Sequence, residues 1–316
     1  MVANPYSGVG PNRKRVDRLV RQLQRHGLAV RVVWELGERA ALLADEELPR
    51  WCRCVVSAGG DGSLGDVINQ MHRGGTLGSV DLATLPIGNE NLFARHFGFE
   101  CPVDRLVEAV AAGRSRRVDL GRVGDRLFTL MASAGFDAEV VHRMAAWRRS
   151  PGAGRPLRHG TSAGGNGGPT TATALRRVRR ASYVGRIAST VREYAYPALR
   201  VETDDGRVAT GAHVFVFNLP RYGMNLGIAR HARGDDALLD YVVFQRPGLL
   251  SLADYALAVL RTRHLGRPDV PHGQARRLTI TAADGVTAPI QADGDPAAFT
   301  PATLEVLPGA ARVVVV

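Results

Sequence analysis

Three glycine-containing segments in the first hundred residues carry the residue types that hold phosphate groups. They are Asn4-Pro5-Tyr6-Ser7-Gly8, Gly59-Gly60-Asp61-Gly62-Ser63 and Pro86-Ile87-Gly88-Asn89-Glu90-Asn91. Glycines let a backbone approach a phosphate closely, and the N-terminus of a following helix adds free N–H groups and a favourable dipole. Each segment alone is compatible with an ordinary turn. Together they predict a cradle for nucleotide phosphates, although neither a P-loop nor a G-x-G-x-x-G fingerprint occurs at these turns.

The elements around these segments are indicated by the period of the apolar residues. Short apolar runs predict strands, at residues 28–34, 53–58 and 80–85. Apolar residues at helical spacing predict helices, at residues 12–26, after the second glycine segment, near residue 91 and at residues 103–110. The second of these helices is expected to run from Leu64, with Ser63 as its cap. This alternation predicts an α/β layer with a mostly parallel sheet, whose carboxyl edge gathers the three segments.

After Asp119 the pattern becomes β-rich. Six segments predict strands, at residues 126–133, 199–203, 208–218, 238–244, 276–282 and 311–316. Only residues 249–261 look helical in this later part. Residues 150–173 are dense in Gly, Pro, Ser and Thr, so we expect a disordered surface insertion there.

The composition excludes several classes of protein. The chain has 316 residues, of which 45% are hydrophobic and 22% charged, which is typical of a globular protein and unlike a disordered chain. The 41 basic and 30 acidic residues give a net charge of +11, and eight arginines without any acid lie in residues 148–180. Because a nucleic-acid footprint would spread over a folded face, this local excess argues against a nucleic-acid partner.

The expected location is the cytoplasm. Cys52, Cys54 and Cys101 form a sparse, odd set without zinc spacing, which is typical of a reducing compartment. No run approaches 18 apolar residues, and the first ten residues show no secretory signal. Only three residues precede Asn4, so the first strand is expected to be short unless the start codon is wrongly assigned.

The ordered set of motifs resembles the diacylglycerol kinase catalytic domain, of the lipid kinase family that includes bacterial diacylglycerol kinases, sphingosine kinases and ceramide kinases. In the first half the resemblance is carried by the three glycine segments, the last continuing through Asn91, Ala94 and Arg95. Later motifs follow in order: Val118-Asp119-Leu120-Gly121, Ala134-Gly135-Phe136-Asp137, Asn218-Leu219-Pro220-x-Tyr222-Gly223, Asp236-Ala237-Leu238-Leu239-Asp240, Asp293-Gly294-Asp295, Thr300-Pro301 and Leu307-Pro308-Gly309-Ala310. The resemblance covers nearly the whole chain apart from residues 148–180.

This resemblance implies two domains. Residues 1–120 would form an α/β nucleotide-binding domain like that of NAD kinases and phosphofructokinases. Residues 121–299 would form a β-sandwich domain that carries the basic insertion at about 148–180, and residues from about 300 to 316 would return to the first domain. The active site would lie in the interdomain cleft, where ATP and Mg²⁺ bind. The nucleotide-binding residues expected there are Asn4, Ser7, Gly8, Gly59, Gly60, Gly62, Ser63, Gly88, Asn89 and Asn91.

The resemblance also implies catalytic carboxylates at Asp61, Asp293 and Asp295. Asp61 could organise the magnesium-bound phosphates or accept the hydroxyl proton, and Asp295 stands where the family's Asp-Gly-Glu places its candidate general base. The sequence does not separate these two roles. By itself, Asp293-Gly294-Asp295 is equally typical of a hairpin turn.

Some positions depart from the family pattern. Asn89 stands where the family has Thr, Leu92 where it has Asp, and Asp66 and Asp295 where it has Glu. Asp61 and Asp236 are the expected metal ligands. Asp236 ends a turn that carries a structural magnesium in a bacterial subset of the family. Because this chain has arginines and a histidine in residues 230–233, it is open whether that site is retained.

The expected activity is ATP-dependent phosphorylation of a lipid hydroxyl, with diacylglycerol as the first choice. A soluble small-molecule kinase resembling NAD kinase and a non-catalytic nucleotide-binding regulator stay open. The arginine-rich segment at 148–180 is either a solvated loop or a contact with anionic lipid headgroups on the inner face of the membrane. A homodimer also stays open.

Overall fold

The computed structural model describes residues 1–3, 12–149, 194–223 and 226–316. Asn4, Ser7 and Gly8 therefore lie outside the described residues, as does the expected insertion from residue 150 onward.

The first domain alternates strands and helices. Its elements are β1 (Val2–Ala3), α1 (Asn12–Arg25), α2 (Leu36–Leu43), α3 (Leu48–Trp51), β2 (Cys54–Gly59), α4 (Asp61–Arg73), β3 (Asp81–Pro86), α5 (Leu92–His96) and α6 (Val103–Ala112). β1, β2 and β3 pair in parallel. β2 and β3 are apolar along most of their length because helices cover both faces of a parallel sheet. Their carboxyl ends therefore place the second and third glycine segments side by side.

The second half is built mainly of strands. Its elements are β4 (Ser115–Val123), β5 (Arg126–Phe128), β6 (Met131–Ala134), α7 (Phe136–Arg149), β7 (Leu199–Thr203), β8 (Val208–Gly211), β9 (His213–Phe217), β10 (Leu239–Phe244), α8 (Leu249–Leu260), β11 (His272–Ala275), β12 (Arg277–Ala282), β13 (Pro289–Ala292), β14 (Asp295–Phe299) and β15 (Ala302–Val314). Short 3₁₀ turns lie at His264–Gly266 and Ala283–Gly285.

The long final strand joins the two domains. Near its end β15 pairs in parallel with β3, through Arg312 opposite Asp81. It also pairs antiparallel with β4 along its length and with β12 near its start. The first sheet therefore runs without a break in the order β1-β2-β3-β15-β12-β7-β8, with β4 paired to β15 and β5 paired to β4.

A second, antiparallel sheet of six strands has the order β11-β10-β9-β6-β13-β14. Alternate residues of its strands face the first sheet and form a shared core, which includes Val214, Val216, Leu278, Ile280 and Leu304. The other face, with Phe215, Phe217 and Phe244, belongs to the larger core that continues into the α/β domain. The expected fold class, an α/β domain with a parallel core followed by a β-sandwich, is confirmed.

One predicted strand was wrong, and one helix was missed. Residues 28–34 form no strand; Val33 makes only an isolated bridge with Val2, through hydrogen bonds to Met1 and Ala3. Helix α7 was not predicted, because apart from Ala138 and Met144 its described side chains are not fully buried, and its sequence lacks a clean apolar stripe.

Candidate active site

The second and third glycine segments touch each other through their backbones. A Cβ atom on Gly88 would lie 2.4 Å from the Cα atom of Gly60, and one on Gly60 would lie 3.2 Å from the Cα atom of Gly88. No side chain fits at Gly88 without displacing backbone. The two loops therefore form one continuous surface at the carboxyl edge of the parallel strands.

Asn91 fixes the shape of the third segment. Its side-chain oxygen accepts a hydrogen bond from the Gly88 N–H at 3.0 Å, and its amide group donates to the Gly88 carbonyl at 3.1 Å. Its φ is 51°, a left-handed conformation that asparagine tolerates better than most residues. Asn91 also precedes the first residue of α5, so this clamp sets where that helix begins.

Asp61 connects the start of α4 to the start of α5. Its two carboxylate oxygens accept hydrogen bonds from the backbone N–H groups of Leu92 and Phe93, at 2.9 and 3.0 Å. These N–H groups belong to the first turn of α5, where they have no partner within the helix. Two oxygens offer about four lone-pair positions, so Asp61 keeps acceptor capacity beyond these two bonds.

Helix α4 begins directly after β2. Its first residue is Asp61 and its N-cap is Gly60, which offers no side-chain cap. The expected start at Leu64, with Ser63 as the cap, was therefore wrong, because Ser63 lies inside the first turn. Beyond the helix itself, no atom of the described residues lies within 4 Å of the position that a Cβ on Gly62 would take. Backbone N–H groups of this first turn can thus be reached by an anion.

Asp293 lies opposite, in the turn between β13 and β14. Asp293 and Gly294 have φ values of 50° and 83°, as in the tight turns that suit β-hairpins. The Asp293 carboxylate accepts four hydrogen bonds: from the Thr129 N–H at 2.6 Å, the Thr129 hydroxyl at 2.9 Å, the Leu130 N–H at 2.9 Å and the Met131 N–H at 3.0 Å. Burial raises the pKa of Asp293, and these bonds oppose the rise. Its acceptor positions are all used in holding the loop between β5 and β6.

Asp295 points elsewhere. Its carboxylate lies 2.8 Å from the Arg126 guanidinium and is 39% exposed. Asp66 of α4 is a neighbour: burial raises the pKa of Asp66, Arg39 lowers it, and the charge of Asp295 raises it further. Asp295 is not among the residues that line the cleft described below.

Asp236 also lies apart from the glycine segments. One of its oxygens accepts a hydrogen bond from the Leu238 N–H at 3.1 Å within its own turn. Asp119 fixes the same turn by accepting from the Ala237 N–H, and it also accepts from the Gly309 N–H. Within the described ranges no group of three or more His, Cys, Asp or Glu side chains could hold a metal ion.

The structure adds a polar network that we did not assign to the site from the sequence. Asp137, on α7, accepts hydrogen bonds from the Tyr222 hydroxyl at 2.5 Å, the Ser133 hydroxyl at 2.6 Å and the Gln291 amide at 3.0 Å. Burial, followed by the charge of Asp137, holds the pKa of Tyr222 well above its usual value, so Tyr222 stays a proton donor. Asp137 and Tyr222 belong to motifs noted above, and their positions in those motifs were the available signal.

A cleft of about 340 Å³ between the two domains is lined by Asp61, Asp293, Asp137 and Tyr222 together. The α/β side contributes Asp61, Gly62, Asn89, Glu90 and Leu92. The sandwich side contributes a polar set and an apolar set: Asp137, Arg221, Tyr222, Gly223, Gln291, Asp293 and Gly294, and beside them Leu130, Met131 and Val141. Polar and apolar surfaces thus lie together beside the N-terminus of α4.

A second opening of about 630 Å³ lies around the third glycine segment. It is lined by Lys14, Arg15 and Arg18 of α1, and by residues of that segment that include Gly88 and Asn91. Arg15 donates a hydrogen bond to the Pro86 carbonyl at 2.9 Å. Asn89 lines both this basic opening and the interdomain cleft, so the two are adjacent.

Comparisons with known proteins identify the family of the chain. The model of the diacylglycerol kinase catalytic domain matches residues 1–123, and that of the YegS C-terminal NAD kinase beta sandwich-like domain matches residues 160–315. A Pseudomonas aeruginosa protein named "probable lipid kinase YegS-like" is 30% identical over 292 residues, covering 90% of this chain and 84% of that protein. The chain belongs to the diacylglycerol kinase family of lipid kinases.

Two further relatives show how much of the chain is similar in sequence and how much in structure. A Pseudomonas putida protein with the same name is 40% identical over 115 residues, which is 36% of this chain and 37% of that protein. A crystal structure of a diacylglycerol kinase from Bacillus anthracis strain Sterne superposes with a TM-score of 0.65 at 16% identity, covering 100% of this chain and 95% of that one. At that identity the superposition supports the fold.

The residues around the glycine segments of this lipid kinase fit a nucleoside triphosphate. The two loops meet through backbone at Gly60 and Gly88, and three cationic side chains line the adjoining opening. Mg²⁺ bound with substrate phosphates needs only one or two carboxylates. Asp61 fits this need because it lines the cleft and keeps acceptor capacity, and Glu90 lines the same wall.

No helix in the part of the chain that the structure describes is long and apolar enough to cross a membrane.

Proposed function

We propose that this lipid kinase transfers the γ-phosphoryl group of ATP to the hydroxyl of a membrane lipid, with diacylglycerol as the acceptor. The observation that carries the proposal is the composition of the interdomain cleft. The N-terminus of α4 and its glycine loop lie beside Leu92, Leu130, Met131 and Val141. Phosphate-binding backbone and an apolar wall in one cleft suit an acceptor that combines a hydroxyl with acyl chains.

In the proposed reaction the lipid hydroxyl oxygen attacks the γ-phosphorus, and the bond to the bridging oxygen breaks, so that ADP leaves with the electron pair. The chain's contribution is positioning and charge neutralisation. The first-turn N–H groups of α4 would hold the phosphates, with Lys14, Arg15 and Arg18 beside them. Bound Mg²⁺ would supply further positive charge at the phosphates.

Of the three carboxylates expected to be catalytic, Asp61 is the best placed to take the hydroxyl proton. Asp293 has four hydrogen bonds on its two oxygens, and Asp295 pairs with Arg126 away from the cleft lining. Asp61 lines the cleft with lone pairs to spare. Asp293 and Asp295 then act by shaping the loop and the hairpin opposite.

The experiment is transfer of labelled γ-phosphate from Mg-ATP to diacylglycerol in mixed micelles, with Asp61→Asn and Asp295→Asn as a pair. We expect a labelled phospholipid, a kcat lowered by a factor of about 100 or more in Asp61→Asn, and less than tenfold in Asp295→Asn. The thermal unfolding temperatures of both variants show whether the fold, including the contact between residue 61 and α5, is retained. The reverse ranking would move the proton acceptor to Asp295. ATP binding with label only in a soluble product, or with no transfer, would favour the soluble-acceptor or regulator alternative.

Gly62→Ala tests the phosphate site separately. Among the residues that the structure describes, the added methyl group meets no atom outside its own helix, so the fold should be retained. We expect the KM for ATP to rise about tenfold or more, because the methyl group stands where a phosphate must approach the backbone. An unchanged KM for ATP would place the phosphates elsewhere.

A further inference from the structure

Helix α8 is apolar on two opposite sides, and the part of the chain that the structure describes covers one of them. Tyr255 and Val259 are buried against the sandwich. On the other side six exposed residues follow helical spacing and form what we call the exposed stripe: Leu249, Leu250, Ala253, Ala256, Leu257 and Leu260. Leu250 is 87% exposed, Leu260 66%, Leu249 54% and Leu257 44%. A helix that is apolar on all sides is normally buried on all sides, so we expect another molecule or surface to cover the exposed stripe.

The charges around α8 indicate the chemistry of that occupant. The helix has one charged residue, Asp254, which forms ion pairs with Arg246 and Arg267 and is thereby neutralised. At the C-terminal end Arg261 and Arg263 are exposed, and neither pairs with a carboxylate of the described residues. Arg261 follows Leu257 by four positions, on the same side as the stripe. An apolar stripe with uncompensated positive charge at its end is complementary to an anionic lipid surface.

An aromatic chain links α8 to the interdomain cleft. Tyr255 packs on Phe244, with ring centroids 4.7 Å apart, and Phe244 packs on Phe215 at 5.8 Å. Phe215 in turn packs edge-on against Tyr222 of the cleft at 5.6 Å. All these rings belong to the same face of the second sheet, so α8 and the sandwich wall of the cleft lie on one side of it.

We propose that the exposed stripe of α8 is the surface on which this protein docks on an anionic lipid bilayer, with the leucines in the acyl-chain boundary and Arg261 and Arg263 among the headgroups. Docking there would hold the cleft next to the bilayer that contains the acceptor. The purpose of this docking, which is access to a lipid acceptor, rests on the proposed function. Binding to the bilayer itself is measured without turnover.

The test is co-sedimentation of the full chain, without ATP, with vesicles of phosphatidylcholine alone or mixed equally with phosphatidylglycerol. The docking variant is Leu250→Ser with Leu260→Ser. Its control is Leu36→Ser with Val286→Ser, at residues 51% and 52% exposed elsewhere. We expect binding to the anionic vesicles that falls on the order of tenfold per leucine removed, and an unaltered control. Equal binding by both double variants would overturn the proposal.

A charge pair of variants tests the headgroup contact. Arg261→Gln with Arg263→Gln should weaken binding to the anionic vesicles, and binding should also weaken with added salt. Arg21→Gln with Arg25→Gln removes equal charge from exposed positions on α1 and should bind like the parent protein. Equal losses in the two pairs would show that only net charge matters, which overturns the assignment to α8.

Two further measurements exclude misfolding and self-association as explanations. Leu250→Trp keeps the stripe apolar, and its fluorescence should shift to shorter wavelength when anionic vesicles are added. No shift in this variant would count against docking. Light scattering reports the oligomeric state: a dimer that Leu250→Ser with Leu260→Ser dissociates, without vesicle binding by the parent, would assign the stripe to a second copy and overturn the proposal.

Activity assays separate failure of docking from failure of the proposed function. The docking variant should lose activity on vesicle-embedded diacylglycerol but keep it on a dispersed short-chain diacylglycerol, because the cleft itself is unchanged. Vesicle binding by a parent protein that phosphorylates neither acceptor would refute the proposed function and leave the docking surface standing. Equal losses of activity on both acceptors would mean that the substitutions in the stripe disturb the fold of the protein.

Discussion

The two walls of the interdomain cleft are built in different ways. On the α/β wall, two loops at adjacent strand ends meet through Gly60 and Gly88, and Asp61 ties α4 to α5. On the sandwich wall, side chains from β6, the loop after β9 and strand β13 converge on Asp137 of α7, while Asp293 holds the loop before β6. The first wall depends on a close backbone contact between two glycines, and the second on a set of side-chain hydrogen bonds.

This difference decides what each wall can tolerate. Two backbones in van der Waals contact leave no room, so a single methyl group at Gly88 is a large change. A hydrogen-bonded network loses one bond at a time, at a cost that depends on whether a buried partner is left unsatisfied. In the proposed function the two walls serve different ligands: exposed backbone suits phosphates, whereas oriented side chains and apolar neighbours suit an acceptor.

The largest effect is expected from Gly88→Ala. Its Cβ atom would lie 2.4 Å from the Gly60 Cα atom and 2.7 Å from the Asn91 side-chain oxygen, so the two loops must separate. We expect the free energy of unfolding to fall by about 3 kcal/mol and activity to be lost. Urea unfolding and the phosphate-transfer assay measure the two effects.

Gly65→Ala is the matched control on the same wall. Gly65 lies inside α4, and beyond that helix no atom from the described part of the chain lies within 4 Å of its Cβ position. The change should therefore stabilise the protein by roughly 0.5–1 kcal/mol. Similar destabilisation by the two alanines would contradict the importance of the Gly60–Gly88 contact.

Asp293→Asn should have the next largest effect. Each oxygen of Asp293 accepts two hydrogen bonds, so the amide group of asparagine would face a donor whichever way it turns. We expect a loss of about 2–3 kcal/mol in the free energy of unfolding. Asp295→Asn breaks only the partly exposed ion pair with Arg126 and should cost less than about 1 kcal/mol. Equal losses of unfolding free energy in the two variants would contradict the role of Asp293 in holding this wall.

Tyr222→Phe removes one of the three donors to Asp137. The ring keeps its packing on Phe215, so the expected loss is about 1.5 kcal/mol, the value of a hydrogen bond to a charged group. Because Tyr222 and Asp137 line the sandwich wall, we expect the KM for the lipid acceptor to rise while the KM for ATP stays unchanged. A change in the KM for ATP alone would assign the network to the nucleotide side.

The smallest effect is a pH dependence that arises behind the sandwich wall. His213 lies beside Gly135, which precedes α7, and burial lowers its pKa from 6.5 to about 4. Between these values the unfolded chain binds a proton that the folded protein does not, so stability falls as pH falls below 6.5. We expect a loss of about 1.4 kcal/mol in the unfolding free energy at one pH unit below 6.5.

His213→Phe should flatten this slope, because phenylalanine does not titrate. Unfolding free energies measured at neutral pH and one unit below 6.5 give the comparison. The same slope in the variant would assign the titration to other groups, such as His96 and His264, whose pKa values burial also lowers.

Most of the fold could be predicted from the period of the apolar residues. Val67, Ile68 and Met71 mark the buried face of α4, and alternation marks strands such as β7, because burial on one side imposes a period. Where burial is weak the signal is weak: α7 has few fully buried side chains, and Val33 touches the sheet at one point only. Boundaries also depend on capping, so the start of α4 at Asp61 could not be predicted from its apolar face.

The sequence by itself determined the α/β wall: glycine loops that follow strands, and an aspartate at the start of a helix, are local patterns whose chemistry is contained in a few consecutive residues. Only the tertiary structure decided which carboxylates have capacity left. The hydrogen-bond donors to Asp293 come from more than 160 positions earlier in the chain, and the partners of Asp137 come from β6, β13 and the loop after β9. Spacing along the chain cannot report such contacts, because they arise when two sheets and a helix pack together.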